Sequence, residues 1–407
     1  MTLSDFEAAR VQLYHNDHSK TGVPYPPALD NSLSRQQCHQ AYEAIRQWPG
    51  YEPTPLRRLS GLAADLGVAE VLYKDEGSRF GLGSFKALGG AYAVLRLLVR
   101  EVEQRTGKPV HDREIADRLH EDLVSQITVA TATDGNHGRS VAWGARQFGC
   151  GCKIYMHAGV SEERARAVED YGAEVVRVNG NYDESVRRAA QDAADNGWFI
   201  VSDTSYEGYM ELPRQVMAGY TVMTQEILSQ LPGGQVPTHV FLQGGVGGLA
   251  AAVAAHLWQA FGTARPRLVI VEPTRADCLY QSAVSGVPTA VHITEETVMA
   301  GLSCGEVSQL AWQILSDGAD DFMTIEDDLV APAMRLLASG GAGEPVVAGE
   351  SAVAGLAGLI AAAGQQALAS ALGLDGTSRI LVIGTEGATD PAIYKALVGQ
   401  DPDSIAA

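Results

Sequence analysis

No segment of the 407-residue sequence approaches the roughly 18 uncharged apolar residues that a helix needs to cross a bilayer. Its first residues, MTLSDFEAARVQ, lack a charged stretch followed by an apolar one. The expectation is a soluble, cytoplasmic protein. Basic residues are also in short supply: 30 Lys and Arg stand against 49 Asp and Glu, a formal net charge of -19, and no basic run occurs. A surface of that sign does not track phosphate backbones or anionic lipid, so neither nucleic acid nor membrane is the expected partner. Cysteine is scarce and irregularly spaced, at positions 38, 150, 152, 278 and 304, which excludes a disulfide scaffold. Cys150-Gly-Cys152 has no second ligand pair at zinc-like spacing and reads as a buried strand-edge pair. The ten histidines form no HExxH and no cluster, so no transition metal is expected.

What the sequence has in quantity is glycine. Its 44 glycines gather at 81–90, 135–138, 244–248, 340–349 and 384–387 without a repeating period, as backbone that must approach a ligand closely would require. A chain of this length is long for one core, and 46% apolar residues suffice for two. After a Pro-rich opening, TGVPYPPALD, apolar runs at 71–75, 127–133, 152–157, 173–178 and 198–203 alternate with helical spacing over 86–104, 137–149, 161–171 and 182–196. The rhythm resumes with runs at 238–243, 267–273 and 379–387. This predicts an α/β architecture with parallel sheets covered on both faces. Ligands collect at the carboxyl ends of such strands. The clusters at 134–138, 203–208, 244–248 and 385–390 each follow a strand, so four strand ends converging on one cleft are expected.

In FLQGGVGGLAAAVAAHLW, a strand ending at Gln243 runs through Gly244, Gly245, Val246, Gly247 and Gly248 straight into an apolar helix. Backbone N–H groups and a positive helix end then point at one small volume, which is a phosphate cradle. A ligand-free turn does not need four glycines in five residues. A dinucleotide fold competes, but the acid about 20 residues on that would read ribose is Glu272, followed by proline in a VEP turn. TATDGNHGRSVAWGARQFG sets Asp134, Asn136 and His137 between a strand and a helix. That loop either binds an anion through its free amides or merely caps the helix with Asp134 or Asn136. Lys86, in SRFGLGSFKALGG, is either a solvated residue at a helix start or an amine held for chemistry. One amine, one phosphate cradle, one anion loop and no metal or nicotinamide signature together point to pyridoxal 5'-phosphate carried on Lys86. A general-base lysine without cofactor would leave the cradle without a use.

SFKALGGA, TATDGNHG, GGVGGL and VIGTEGATD, in this order and spacing, resemble the fold-type II, tryptophan-synthase-β-like pyridoxal phosphate enzymes. YEPTPL (51–56), DTSYEGY (203–209), GLSCGE (301–306) and GES (349–351) narrow the resemblance to the diaminopropionate ammonia-lyases. It implies a large domain of residues 1–108 and 207–407, a small mobile α/β domain of 109–206, and the cofactor in the cleft between. It implies that Lys86 is the Schiff-base lysine with Phe85 near the ring, and that Asn136 bonds the phenolic oxygen. It assigns the phosphate to Gly244, Gly245, Val246, Gly247 and Gly248, and Thr385 to the pyridine nitrogen, where relatives usually carry serine or cysteine.

The implied reaction is α,β-elimination of 2,3-diaminopropionate, D or L, to pyruvate and two ammonia by a homodimer. Asp134 stands where many hydroxy-amino-acid dehydratases have serine. With Asp203 it suits a substrate bearing a second ammonium, and it can take a Cα proton from the face opposite Lys86; alternatively Asp203 caps the EGYMELPRQV region. Thr133 and His137 complete the substrate-binding set. A serine or threonine dehydratase on the same scaffold is the runner-up, and a non-catalytic amino-acid sensor a third reading. Glu350 and Asp390 line the rim or orient loops. Tyr206 and Tyr209 cover the ligand or an interface, and Cys278 and Cys304 are free thiols by default.

Overall fold

The computed structural model describes residues 4–133, 135–160 and 162–405. Among them eleven strands follow in chain order: β1 (Gln12–His15), β2 (Leu56–Arg58), β3 (Glu70–Asp75), β4 (Thr128–Ala132), β5 (Gly151–His157), β6 (Glu174–Val178), β7 (Phe199–Ile200), β8 (His239–Gln243), β9 (Arg267–Pro273), β10 (Asp321–Ile325) and β11 (Arg379–Gly384). Seven form a sheet in the order β1-β10-β9-β8-β11-β3-β2 and four a second sheet, β6-β5-β4-β7. The chain divides into two compact units, Met1–Arg35 with Pro53–Ser84 and Met223–Ala407, and Gln36–Glu52 with Phe85–Val222.

The first unit carries the seven-stranded sheet. Its five inner strands are parallel, and β8 and β10 are buried at every position, their few polar side chains included. The helix Ala354–Gly364 is buried on nearly all sides and lies close against the sheet: a β-carbon at Gly355 would stand 2.8 Å from the Phe241 carbonyl oxygen. Antiparallel β1 and β2 close the two edges. The sequence reading named neither edge strand, nor β10. The two edge strands have four and three residues, too few to show a period.

The second unit carries the all-parallel sheet. Here the helix Lys86–Thr106 interlocks with Asn136–Phe148 through glycines. A β-carbon at Gly144 would lie 2.8 Å from Ala91 Cα, and one at Gly90 would lie 2.5 Å from Ser140 Oγ. That packing places Lys86–Thr106 in this unit, whereas the sequence reading began the small domain at 109. Trp48, from Gln36–Glu52, adds edge-on contacts to Trp143 and Phe148. The predicted strand 198–203 shrinks to β7 because, beyond Val201, the Ser202 N–H turns to the Tyr209 hydroxyl at 3.0 Å. The helix Tyr182–Asn196 opens on a capping box of Asn181 and Glu184 and closes at left-handed Gly197. No single helix among the described residues is long and apolar enough to cross a membrane.

Candidate active site

In the second unit, Lys86 is the first residue of its helix, and no side chain caps that end. Its ammonium forms an ion pair with Asp203, 117 residues on, and lies 5.6 Å from the centre of the Phe85 ring. Phe85 packs in turn on Tyr220, with ring centres 4.7 Å apart. Tyr220 is buried, with its hydroxyl beside the Lys86 amine. His137 stands behind Asp203: its Nδ1 is 3.9 Å from Asp203 Oδ2, and its Nε2 donates to the Val201 carbonyl at 2.9 Å. Burial holds His137 below its ordinary value, so it is neutral near pH 7. Burial also works against the Asp203 carboxylate, but Lys86 first and then His137 outweigh it and hold the group well below the usual carboxylate range. The site therefore pairs an ammonium with a carboxylate beside a neutral imidazole.

The loop before Asn136 is built by Thr133, whose Oγ1 accepts from the N–H groups of Gly135 and Gly138 at 3.2 and 3.4 Å. A β-carbon at Gly138 would meet Thr133 Cγ2 at 2.3 Å, so threonine and glycine fit only as a pair. Asn136 opens the helix Asn136–Phe148 and is half-buried. Asp134 lies outside the described residues. The Asp203 loop is tied down by Tyr209, whose hydroxyl donates to the Ile200 carbonyl at 2.8 Å and stacks its ring on exposed Tyr206.

In the first unit, β8 delivers the glycine loop. Gly245 and Gly247 have φ of +67° and +94°, the left-handed region where glycine is at ease. The helix Gly248–Phe261 starts there without a side-chain cap. Gly245 and Val246 form the turn that leads into that helix. The N–H groups at the start of a 14-residue helix fit a phosphate. The loop is held from behind: Gln243 Nε2 donates to the carbonyls of Ala352 and Ile383, and the Val246 carbonyl accepts from the Ser308 N–H at 2.9 Å. Thr385 follows β11 and is buried. Next to it, Glu386 accepts from the Ser351 N–H at 3.2 Å, and Ser351 Oγ accepts from the Gly301 N–H at 2.9 Å. Three sequence motifs thus join in one unit. Cys278 and Cys304 are free thiols.

The amine paired with a carboxylate in the second unit suits an aldehyde, and the glycine loop at a helix start in the first suits a phosphate. A family model described as pyridoxal-phosphate dependent enzyme matches residues 47–386. The chain belongs to that family. It is 39% identical to the diaminopropionate ammonia-lyase of Escherichia coli (strain K12) over 92% of this chain and 94% of that one. It is 37% identical to the diaminopropionate ammonia-lyase of Salmonella typhimurium (strain LT2) over 88% and 91%. Among solved structures it is similar to the Escherichia coli diaminopropionate ammonia lyase in complex with D-serine, with a TM-score of 0.86, 37% identity and coverage of 96% and 97%. The same protein in complex with an aminoacrylate-PLP azomethine reaction intermediate gives a TM-score of 0.84, with the same identity and coverage. The chain is thus a fold-type II pyridoxal phosphate enzyme of the diaminopropionate ammonia-lyase group, with pyridoxal phosphate as cofactor.

Lys86, Phe85, His137 and Asp203 meet in the second unit, as do Thr133 and Asn136 in the adjoining loop; the five-residue cradle and Thr385 belong to the first unit. Sequence reasoning missed Tyr220, which sits mid-helix in AGYTV with nothing around it to mark it. The one available signal is its pairing with the glycine-rich start of the Lys86 helix.

Proposed function

We propose that the protein eliminates ammonia from 2,3-diaminopropionate, leaving pyruvate and a second ammonia. The observation that carries this is the Lys86–Asp203 ion pair backed by neutral His137, in a chain related to diaminopropionate ammonia-lyases over nearly its whole length. Lys86 would bond the cofactor's aldehyde carbon, Asn136 its phenolic oxygen and Thr385 its pyridine nitrogen, while Gly244–Gly248 would hold the phosphate and Phe85 the ring. When bound, pyridoxal phosphate supplies an electron-withdrawing ring that makes the substrate's Cα–H acidic.

The chain's own residues do the rest. Lys86, once its amine is free, takes the Cα proton of the L isomer, and Asp134 that of the D isomer from the opposite face. The β-nitrogen departs as ammonia because it is carried as ammonium, and Asp134 and Asp203 are the anions that favour that charge. Asp203 also orients Lys86, and His137 keeps Asp203 in place. The enamine acid that is released takes up water, giving pyruvate and the second ammonia. The same reading has a homodimer working in the cytoplasm, which the family resemblance allows.

The test is pyruvate release from D- and L-diaminopropionate, serine and threonine, together with borohydride reduction of the purified protein. The expected outcome is fastest release from diaminopropionate and a phosphopyridoxyl group on the peptide containing SFKALGG. Faster release from serine or threonine would establish a dehydratase. Bound cofactor without pyruvate would establish a sensor.

A further inference from the structure

Beneath the glycine loop lies a carboxyl group that none of these steps uses. Glu272, near the end of β9, is 1% exposed, and a β-carbon at Gly244 would stand 2.4 Å from its Cγ. Its Oε1 accepts from the Leu279 N–H at 3.1 Å and its Oε2 from the Tyr280 N–H at 2.7 Å. Those are early N–H groups of the helix Cys278–Ser285, whose own N-cap, Asp277, makes no side-chain cap bond. The Cys278 thiol lies 3.8 Å from Glu272 Oε1 and 3.5 Å from the Gly245 carbonyl oxygen, so it bridges the acid and the loop. The titratable groups around Glu272 are Asp277 and Cys278, with Cys304 beyond Cys278, and none of them is a cation. Among the described residues no Lys, Arg or His forms an ion pair with Glu272. Burial pushes its carboxyl up to about 8, against the opposing pull of the two N–H groups.

A helix cap alone favours the ionised carboxylate. A phosphate held on the next residues favours the neutral acid, because two anions in one desolvated pocket repel. We propose that Glu272 is a positioning residue of the cofactor's phosphate site, supporting Gly244 and Gly245 as a neutral acid, so that cofactor binding and protonation of Glu272 reinforce each other. This role rests on the phosphate lying at 244–248. The coupling is reciprocal: whatever the phosphate adds to the proton affinity of Glu272, the proton adds to the affinity for phosphate. Binding is then strongest where Glu272 is protonated and weakens as pH rises through the range where it ionises.

The test uses pyridoxamine 5'-phosphate, which carries the phosphate but no aldehyde for Lys86, with pyridoxamine as the phosphate-free control. Apo wild-type protein and Glu272→Gln are titrated between pH 7 and pH 9.5 by fluorescence quenching. The wild-type Kd is expected to rise roughly five-fold more than that of the variant over this range. Infrared difference spectra of both proteins with 13C-labelled glutamate read the same group, since a band present in wild type and missing in Glu272→Gln belongs to Glu272. Addition of the probe at pH 8.5 is expected to increase the protonated-carboxyl band. Equal pH slopes in the two proteins, or an unchanged band, overturn the role of Glu272 while leaving the cradle intact. Pyridoxamine binding as tightly as its phosphate ester overturns the cradle, and the role of Glu272 with it.

Discussion

The ring of Tyr220 fills the space that a side chain at Gly89 would need: a β-carbon there would stand 2.3 Å from Tyr220 Cε1 and 2.8 Å from Val216 Cγ1. The contact is reciprocal in kind, since a β-carbon at Gly219 would lie 2.4 Å from the Leu88 carbonyl oxygen. Gly89 is one helical turn beyond Lys86, and Tyr220 also packs on Phe85. Two glycines in helix interiors, each costly to helix formation, let the end that carries the amine sit directly on its neighbour.

Gly89→Ala separates these effects. Alanine would gain about 1 kcal/mol of helix propensity, but overpacking against Tyr220 costs about 1–3 kcal/mol. Net destabilisation is expected in urea unfolding of the variant. A variant more stable than wild type would show that the ring yields freely and does not seat the helix.

His137 gives the pH dependence a definite sign. Its folded-state pKa lies below its unfolded value near 6.5 because burial disfavours the imidazolium. Its contribution is therefore complete above about pH 6.5 and is lost as pH falls toward the folded value. Wild-type protein is expected to lose stability between pH 7 and pH 5, and His137→Gln to lose less. Urea unfolding at the two pH values measures both, and equal losses would locate the acid sensitivity elsewhere.

The parallel sheets were legible because buried strands such as HVFLQ and RILVIG have no alternation to confuse, and glycine clusters marked the strand ends. Lys86 and the cradle at 244–248 stood out for the same reason: local composition carries them. Residues that act through distant partners were not legible. Glu272 was considered only as a ribose reader, since nothing in VEP tells that the acid turns under Gly244. Tyr220 needs Gly89, 131 positions earlier, to acquire meaning. The extent of the second unit was hidden likewise, because Gly90, Ser140 and Gly144 join two helices that the sequence keeps far apart.

A buried charge cluster in the first unit was equally silent. Glu226 accepts from Lys74 Nζ and Arg79 Nη1, each at 2.7 Å, and Arg79 also pairs with Glu76 at 2.7 Å. All four are buried, and their charges cancel. Glu226→Gln leaves the cations in excess and is expected to cost about 3–5 kcal/mol. Adding Lys74→Met should recover part of that loss, which a double-mutant cycle in urea measures. Independent, additive losses would mean that the two side chains do not act as a pair.

Asp134 carries the stereochemical part of the proposed reaction. Next to it, Thr133 Oγ1 accepts from the N–H groups of Gly135 and Gly138. Asp134→Asn keeps the size of the side chain and removes the base. If Asp134 takes the Cα proton of the D isomer and Lys86 that of the L isomer, turnover of D-diaminopropionate is expected to fall about 100-fold or more, the usual worth of a general base. Turnover of the L isomer should fall far less. Exchange of the Cα proton in deuterated water reads the proton step apart from ammonia release, and it should slow for the D isomer alone. Equal losses on both isomers would mean that one base serves both faces, and the two-base assignment would fall.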